Sequence, residues 1–123
     1  MTGLWSELLE AAQDEVQQTI RALPDDLRHH AAGLAITYES FPGQALLDDG
    51  WDHDLLGMFI GDPIDGPEMS GAPRQIQLFL ENLWDAAAGD RERFREEVRI
   101  TLLHEFGHYL GLEEDDMEER GLL

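Results

Sequence analysis

The sequence predicts an α+β domain with an N-terminal helix, a small three-stranded sheet and a long helix near the C-terminus. Two observations carry this prediction. Apolar residues recur every three or four positions at both ends of the chain, and they alternate with polar residues in short segments between them. Because the helical patterns cluster at the two ends, α+β is favoured over an alternating α/β sheet. The 123 residues are expected to form one domain, residues 1–123.

The first half of the chain carries a helix and the first two strands. Apolar side chains recur four positions apart over residues 3–23, which predicts an amphipathic helix. Pro24 ends this pattern, and residues 25–30 allow a second short turn of helix. Alternation or a short apolar run predicts the three strands of the sheet, at residues 33–39, 55–60 and 75–80.

Glycine and proline divide the second half of the chain. Residues 61–73 contain three glycines and three prolines and are predicted to form a loop. Residues 82–88 predict a helical turn. A long helix then covers roughly residues 90–110, with Asp90 as its N-cap and Gly111 at its C-terminal end.

The composition excludes several classes of partner and chemistry. Aspartate and glutamate outnumber the basic residues by 27 to 8, which gives a net charge of −19. Such a surface repels phosphate groups, so we expect no nucleic-acid or membrane binding. Without cysteine, the chain cannot form disulfides, thiolate metal sites or a cysteine nucleophile. The first residues lack the pattern of a secretion signal, and we expect a cytoplasmic protein, with a monomer favoured.

Residues 104–108 read HEFGH, an H-E-x-x-H motif within the long predicted helix. Two histidines four positions apart lie about 40° apart around a helix axis, so both imidazoles can reach one metal ion. Glu105 lies about 100° from His104, beside the metal position, where it can hold a water molecule. His104 and His108 are therefore candidate metal ligands, and Glu105 is the candidate catalytic residue.

Two further residues extend the motif to H-E-x-x-H-x-x-G-x-x-E, namely Gly111 and Glu114. A ligand ten residues after the first histidine requires the chain to leave the helix and turn back, and glycine tolerates the positive φ of such a turn. Glu114 then supplies an oxygen ligand and leaves a fourth position for water, as a catalytic zinc requires. Because residues 113–116 are all acidic, Asp115 remains the alternative ligand.

The helix around the motif has one polar stripe. Apolar side chains are predicted to cover most of its circumference, and the remaining sector holds Glu97, Thr101, His104 and His108, with Glu105 at its margin. Burial of histidines and a carboxylate without partners is costly, and a bound cation removes that cost. The alternative is that both histidines are exposed, or are core residues with satisfied hydrogen bonds.

The segment LLHEFGHYLGLEEDDMEERGLL resembles the C-terminal motif of small bacterial zincin-like proteins, the minimal metallopeptidase family. The resemblance extends through LLGMFIGDP, QIQLFLENL and AAAGDRERFREEVRITLLHE, and covers roughly residues 20–123. It implies a zincin-like minimal core, one zinc per chain and hydrolysis of peptide bonds in a peptide or protein substrate. It also implies that His104, His108 and Glu114 hold the metal and that Glu105 is the general base.

The sequence departs from the larger metzincins in two respects. Their third ligand of this spacing is usually histidine, and their methionine turn lies well downstream of it. Met117 is too close to Glu114 for that turn, so we interpret it as a packing residue. Since nine residues follow Glu114 in this sequence, we expect the lower part of a protease cleft to be missing. The alternative function is therefore a non-catalytic metal-binding module with a regulatory or interaction role.

Two details of a peptidase mechanism stay open at this point. In zincins generally, a strand at the sheet edge pairs with the substrate backbone, and residues 55–60 and 75–80 are both candidates. The donor that assists zinc at the oxyanion is also open, with Tyr38, Tyr109 and His53 as candidates. A third function, mimicry of nucleic acid, rests on the net charge alone.

Overall fold

A computed structural model describes residues 3–64 and 73–120. The helices and strands within these residues are, in chain order, α1 (Leu4–Arg21), α2 (Asp25–Ala31), β1 (Ala35–Glu39), α3 (Gln44–Asp48), β2 (Gly57–Ile60), β3 (Gln75–Phe79), α4 (Leu80–Ala86), α5 (Arg91–Tyr109) and α6 (Glu114–Glu119). Among them, no helix combines the length and the apolar content that a membrane span needs.

The α+β class and the predicted order of elements are confirmed. The N-terminal helix, the three strands and the long helix near the C-terminus are present, and their ends differ from the predicted ones by at most two residues. Two short helices, α3 and α6, were not predicted. Most of the loop predicted at residues 61–73 lies outside the described residues, at positions 65–72.

The strands form one mixed sheet with the order β1-β3-β2. β1 runs parallel to β3, and β2 runs antiparallel to it. β3 is therefore central, and in the described part of the chain no strand covers the outer edge of β2. Phe79 N–H donates to the Leu56 carbonyl at 3.0 Å, so the alternate residues Gly57 and Phe59 direct their backbone groups to that outer edge.

One face of the sheet packs against α5, which in turn packs against α1, and these layers form the core. Ile76 and Leu78 are fully buried on this face, and Phe59 and Gly57 of β2 lie opposite them in the register. The stripe predicted for α1 is buried at Leu8, Ala12 and Val16. Each fully buried leucine or isoleucine contributes about 1.5–3 kcal/mol relative to an exposed one. Packing against the sheet on one side and α1 on the other thus holds α5 in position.

Helix α5 begins at the predicted cap, because Asp90 accepts a hydrogen bond from Arg93 N–H at 3.0 Å. Its apolar surface is narrower than its sequence predicts. Ile100 was expected to belong to the buried surface, but it is 39% exposed. It lies on the opposite side of the helix from Val98 and Leu102, and the sheet and α1 bury that other side.

Arg95 connects α5 to α1. Its guanidinium group donates hydrogen bonds to the carboxylate of Asp14 and to Oε1 of Glu15, the latter at 3.1 Å. The hydrogen bond from Arg95 holds the pKa of Asp14 below its ordinary value. The pair is exposed at Asp14, so its contribution to stability is small and depends on pH.

We predict that Asp14→Asn slightly lowers the melting temperature at neutral pH and has no effect in strong acid. Because the folded-state pKa is below the unfolded one, the ionised carboxylate stabilises the folded chain above the unfolded pKa. This contribution is lost as the pH falls through the lowered folded-state pKa. Thermal unfolding of both proteins between about pH 7 and about pH 2 measures the difference. Asp26→Asn, at another exposed carboxylate, is the control, and a deficit of Asp14→Asn that persists in strong acid would contradict the prediction.

Candidate metal centre

The two histidines of the HEFGH segment lie on one face of α5, one turn apart. Nε2 of His104 and Nε2 of His108 are 3.1 Å apart, and the ring centroids are 4.7 Å apart. The side chain of His104 is half-buried, and His108 is exposed. The predicted pairing of the two imidazoles is therefore present, with the site open to solvent on the side of His108.

This geometry fits a divalent cation. Two nitrogen ligands of a tetrahedral zinc, each bonded at about 2.0–2.1 Å, lie about 3.3 Å apart. The separation of 3.1 Å between the two Nε2 atoms is close to that value. Potential ligand atoms of His104, Glu105 and His108 all lie within 4.8 Å of one another. Imidazoles combined with carboxylates suit zinc, although other divalent metals accept the same ligands.

Glu105 is held by the edge strand. Its Oε1 accepts a hydrogen bond of 2.9 Å from the backbone N–H of Phe59 in β2. Burial raises the pKa of Glu105 above its ordinary value, while the Phe59 hydrogen bond and the nearby His104 ring act in the opposite direction. The predicted catalytic residue is thus a half-buried carboxylate beside the histidines, with one oxygen bound to the sheet.

Gly57 allows the edge strand to reach the helix. A Cβ at this position would lie 2.6 Å from Cγ2 of Thr101 on α5 and 3.1 Å from the backbone oxygen of Gln77. Thr101, which the sequence placed on the polar stripe, is buried at this contact. A larger residue at position 57 would move β2 away from α5, and with it the amide that binds Glu105.

A glycine turn ends α5 after the motif. Gly111 has a φ of 73°, as the predicted reversal of the chain requires. Its N–H donates to the carbonyl of His108, and the N–H of Leu112 donates to the carbonyl of Gly107, both at 3.0 Å. These two bonds form a Schellman motif, which satisfies carbonyls at the helix end and redirects the chain.

The turn brings Glu114 back to His104. Glu114 is the first residue of α6, and its Oε1 lies 3.7 Å from Nε2 of His104. Its side chain is 65% exposed. In the part of the chain that the structure describes, Asp115 has no ion pair with either histidine, and Glu113 and Asp116 are exposed. Of the two candidate third ligands, Glu114 is the one whose carboxylate lies beside His104 in the described residues.

The candidate oxyanion donors lie elsewhere. Tyr38 is on β1, which β3 separates from β2. Tyr109 is buried, with its ring 5.5 Å from that of Phe59. His53 is exposed, and its carbonyl accepts a hydrogen bond from Asn82. Among the described residues, none of the three forms a hydrogen bond or ring contact with the motif histidines.

An α+β core with two histidines and a glutamate on its long helix, beside the edge strand of a small sheet, defines the class of zincin-type metal proteins. Comparison with known families agrees with this class. The family model for zincin-like metallopeptidases matches residues 31–122, and the chain belongs to this family. A search of curated proteins finds no match to the chain. The resemblance drawn from the motif is therefore confirmed at the level of the family.

We predict that Gly57→Ala destabilises the fold by about 1–3 kcal/mol, because overpacking at a close contact forces the strand and helix apart. Urea unfolding of the apo protein measures this difference. Gly33→Ala is the control, because this glycine is exposed outside the helices and strands and a Cβ there meets nothing within 4 Å. Equal stability of the Gly57→Ala and Gly33→Ala variants would contradict overpacking between β2 and α5.

Proposed function

We propose that this protein is a zinc-dependent peptidase that hydrolyses peptide bonds in peptide or protein substrates. His104, His108 and Glu114 hold one zinc ion per chain, and Glu105 is the general base. The observation that carries the proposal is the pair of Nε2 atoms 3.1 Å apart, with a carboxylate oxygen of Glu105 within 4.8 Å of both. Membership of the zincin-like metallopeptidase family supports the same class of reaction.

The residues have distinct tasks in this mechanism. A zinc ion held by His104, His108 and Glu114 would supply Lewis-acid chemistry, namely polarisation of the scissile carbonyl and a lower pKa for water. Glu105 accepts the proton of the attacking water and passes it to the leaving amine. Its Oε1 is bound to Phe59 N–H, so the second carboxylate oxygen remains for the water. The hydrogen bond fixes the direction of the carboxylate, and correct direction is a large part of general-base efficiency.

The free edge of β2 supports an extended peptide as the substrate. β3 is paired on both sides, which leaves β2 as the candidate strand with an unpaired outer edge in the described chain. Phe59 and Gly57 direct backbone groups to that edge, beside Glu105. A peptide added along this edge would therefore pass next to the proposed general base.

A groove beside β2 has room for substrate side chains. Its volume is about 480 Å³, and its walls include Leu46, Trp51, Met58 and Ile60. Side chains of an extended peptide alternate between the two faces of the sheet. One residue of the bound peptide would therefore place its side chain in this groove, and the walls favour an apolar one.

The alternative function is a metal-binding module without turnover. One contact favours it: the edge amide of Phe59, which a peptide substrate would use, already donates to Glu105. Such a module would keep the histidines, the metal and the fold. The two functions differ in the effect of changing Glu105, which is tested below. A cytoplasmic location and a monomeric state stay predictions from composition.

We predict that purified protein binds about one zinc per chain and that His104→Ala combined with His108→Ala abolishes binding, because both nitrogen ligands are removed. Elemental analysis after dialysis and titration with zinc give the stoichiometry and the affinity. His53→Ala is the control, since this histidine is exposed and has no contact with the motif histidines. Unchanged metal content in the double variant would exclude the site. Glu114→Ala compared with Asp115→Ala then identifies the third ligand by the larger loss of affinity.

We predict that Glu105→Gln retains the fold and the zinc but lowers peptide hydrolysis by a factor of about 10² to 10⁴. The amide oxygen of glutamine can still accept the hydrogen bond from Phe59 N–H. The change therefore removes the general base while the contact between α5 and β2 is retained. Cleavage of a fluorogenic peptide library by both proteins, with zinc content measured in parallel, tests this.

The control is a preparation of the His104→Ala, His108→Ala variant, which reports any contaminating peptidase. Equal hydrolysis by wild type and Glu105→Gln contradicts the assignment of the base. Full zinc occupancy without hydrolysis in the wild type favours the non-catalytic module.

A further inference from the structure

Gly107 lies between the two motif histidines, and Met117 of α6 occupies the space beside it. A Cβ at position 107 would lie 2.5 Å from Sδ of Met117 and 2.8 Å from its Cγ and Cε. Met117 is fully buried. Because Gly107 has no side chain, Met117 packs directly against its backbone. This contact joins α6 to α5 within the HEFGH segment.

Helix α6 has few other means of holding its position. It has six residues, of which five are acidic, and a helix of this length is unstable in isolation. Neighbouring carboxylates on it repel one another. Met117 is its one buried residue in the structure as described, and the acidic residues around it are exposed. Packing of Met117 against α5 is therefore the interaction that fixes α6.

The same contact determines where Glu114 lies. Glu114 and Met117 are three positions apart, which places them on one face of α6, one turn from each other. Packing of Met117 against Gly107 turns that face towards α5. Oε1 of Glu114 then lies 3.7 Å from Nε2 of His104. The turn at Gly111 returns the chain towards α5, and the Met117 contact then fixes which face of α6 is directed to His104.

We propose that Met117 is a positioning residue for the metal centre: by packing against Gly107, it holds Glu114 at the metal as the third ligand. This inference rests on the proposed function, because it takes the metal site as given. Met117 acts through Glu114. Its removal therefore weakens zinc binding only while Glu114 is present, and this dependence distinguishes it from a residue that merely stabilises the fold.

The test is a double-mutant cycle on zinc affinity, measured by competition with a chromophoric chelator. The variants are Met117→Ala, Glu114→Ala and the combination of the two. We expect Met117→Ala to bind zinc roughly 10-fold more weakly than wild type, which is the range for residues that orient a ligand. We expect the combined variant to bind no more weakly than Glu114→Ala alone. Met117→Leu, which keeps an apolar side chain of similar size, should retain most of the affinity.

Two controls separate positioning from general destabilisation. Leu8→Ala removes a buried side chain of α1, remote from α6, and should leave zinc affinity unchanged. Gly107→Ala displaces Met117 from the opposite side of the contact and should weaken binding as Met117→Ala does. Far-UV circular dichroism and urea unfolding of the apo variants show which are folded in the assay. If Met117→Ala is unfolded, Met117→Val takes its place in the cycle.

The outcomes are distinct. Weaker binding by Met117→Ala that disappears in the Glu114→Ala background supports the inference. Wild-type affinity in Met117→Ala, a loss that adds fully to that of Glu114→Ala, or an equal loss in Leu8→Ala overturns it while leaving the zinc site intact. Failure of the wild type to bind zinc overturns the proposed function and the inference together.

Discussion

The approach of β2 to α5 at Gly57 is the contact on which the candidate site depends. Without a side chain at this position, the edge strand lies against Thr101, and the Phe59 amide reaches Glu105 at 2.9 Å. A half-buried carboxylate needs such a partner, because burial without a hydrogen bond is costly. The order β1-β3-β2 leaves this strand at the edge, so one arrangement of backbone both orients the carboxylate and keeps an unpaired strand edge beside it.

Two separate parts of the fold support the site. The sheet holds Glu105, and the end of α5 holds the two histidines near each other. The turn at Gly111 returns the chain so that Glu114 lies beside His104. The histidines are placed by helix periodicity alone, and the glutamate of α6 requires a reversal of the chain. The surrounding acidic residues add a negative potential that attracts a cation to the site and disfavours an anionic partner.

Much of this could be read from the sequence, because its strongest signals are local. The apolar spacing of α1, the alternation in the strands and the cap at Asp90 each specify an element without long-range information. Helix α6 could not be predicted in this way, since its one apolar residue, Met117, has no periodic partner and its helical state depends on Gly107. The exposure of Ile100 and the edge position of β2 likewise follow from packing across the sheet, which a single sequence does not encode in any short window.

The spacing of these residues along the chain also separates the assembly of the site into two stages. The three candidate ligands lie within eleven residues of one another, two in α5 and one at the start of α6, whereas the contact between Phe59 and Glu105 joins positions 46 residues apart. Closing the larger loop costs more chain entropy than bringing the local ligands together. Under the proposed function, we therefore expect this local segment to bind metal weakly in states whose sheet is not formed, without the contact that orients Glu105. Metal bound to such incompletely folded states stabilises the native state by less than its affinity for the finished site would indicate.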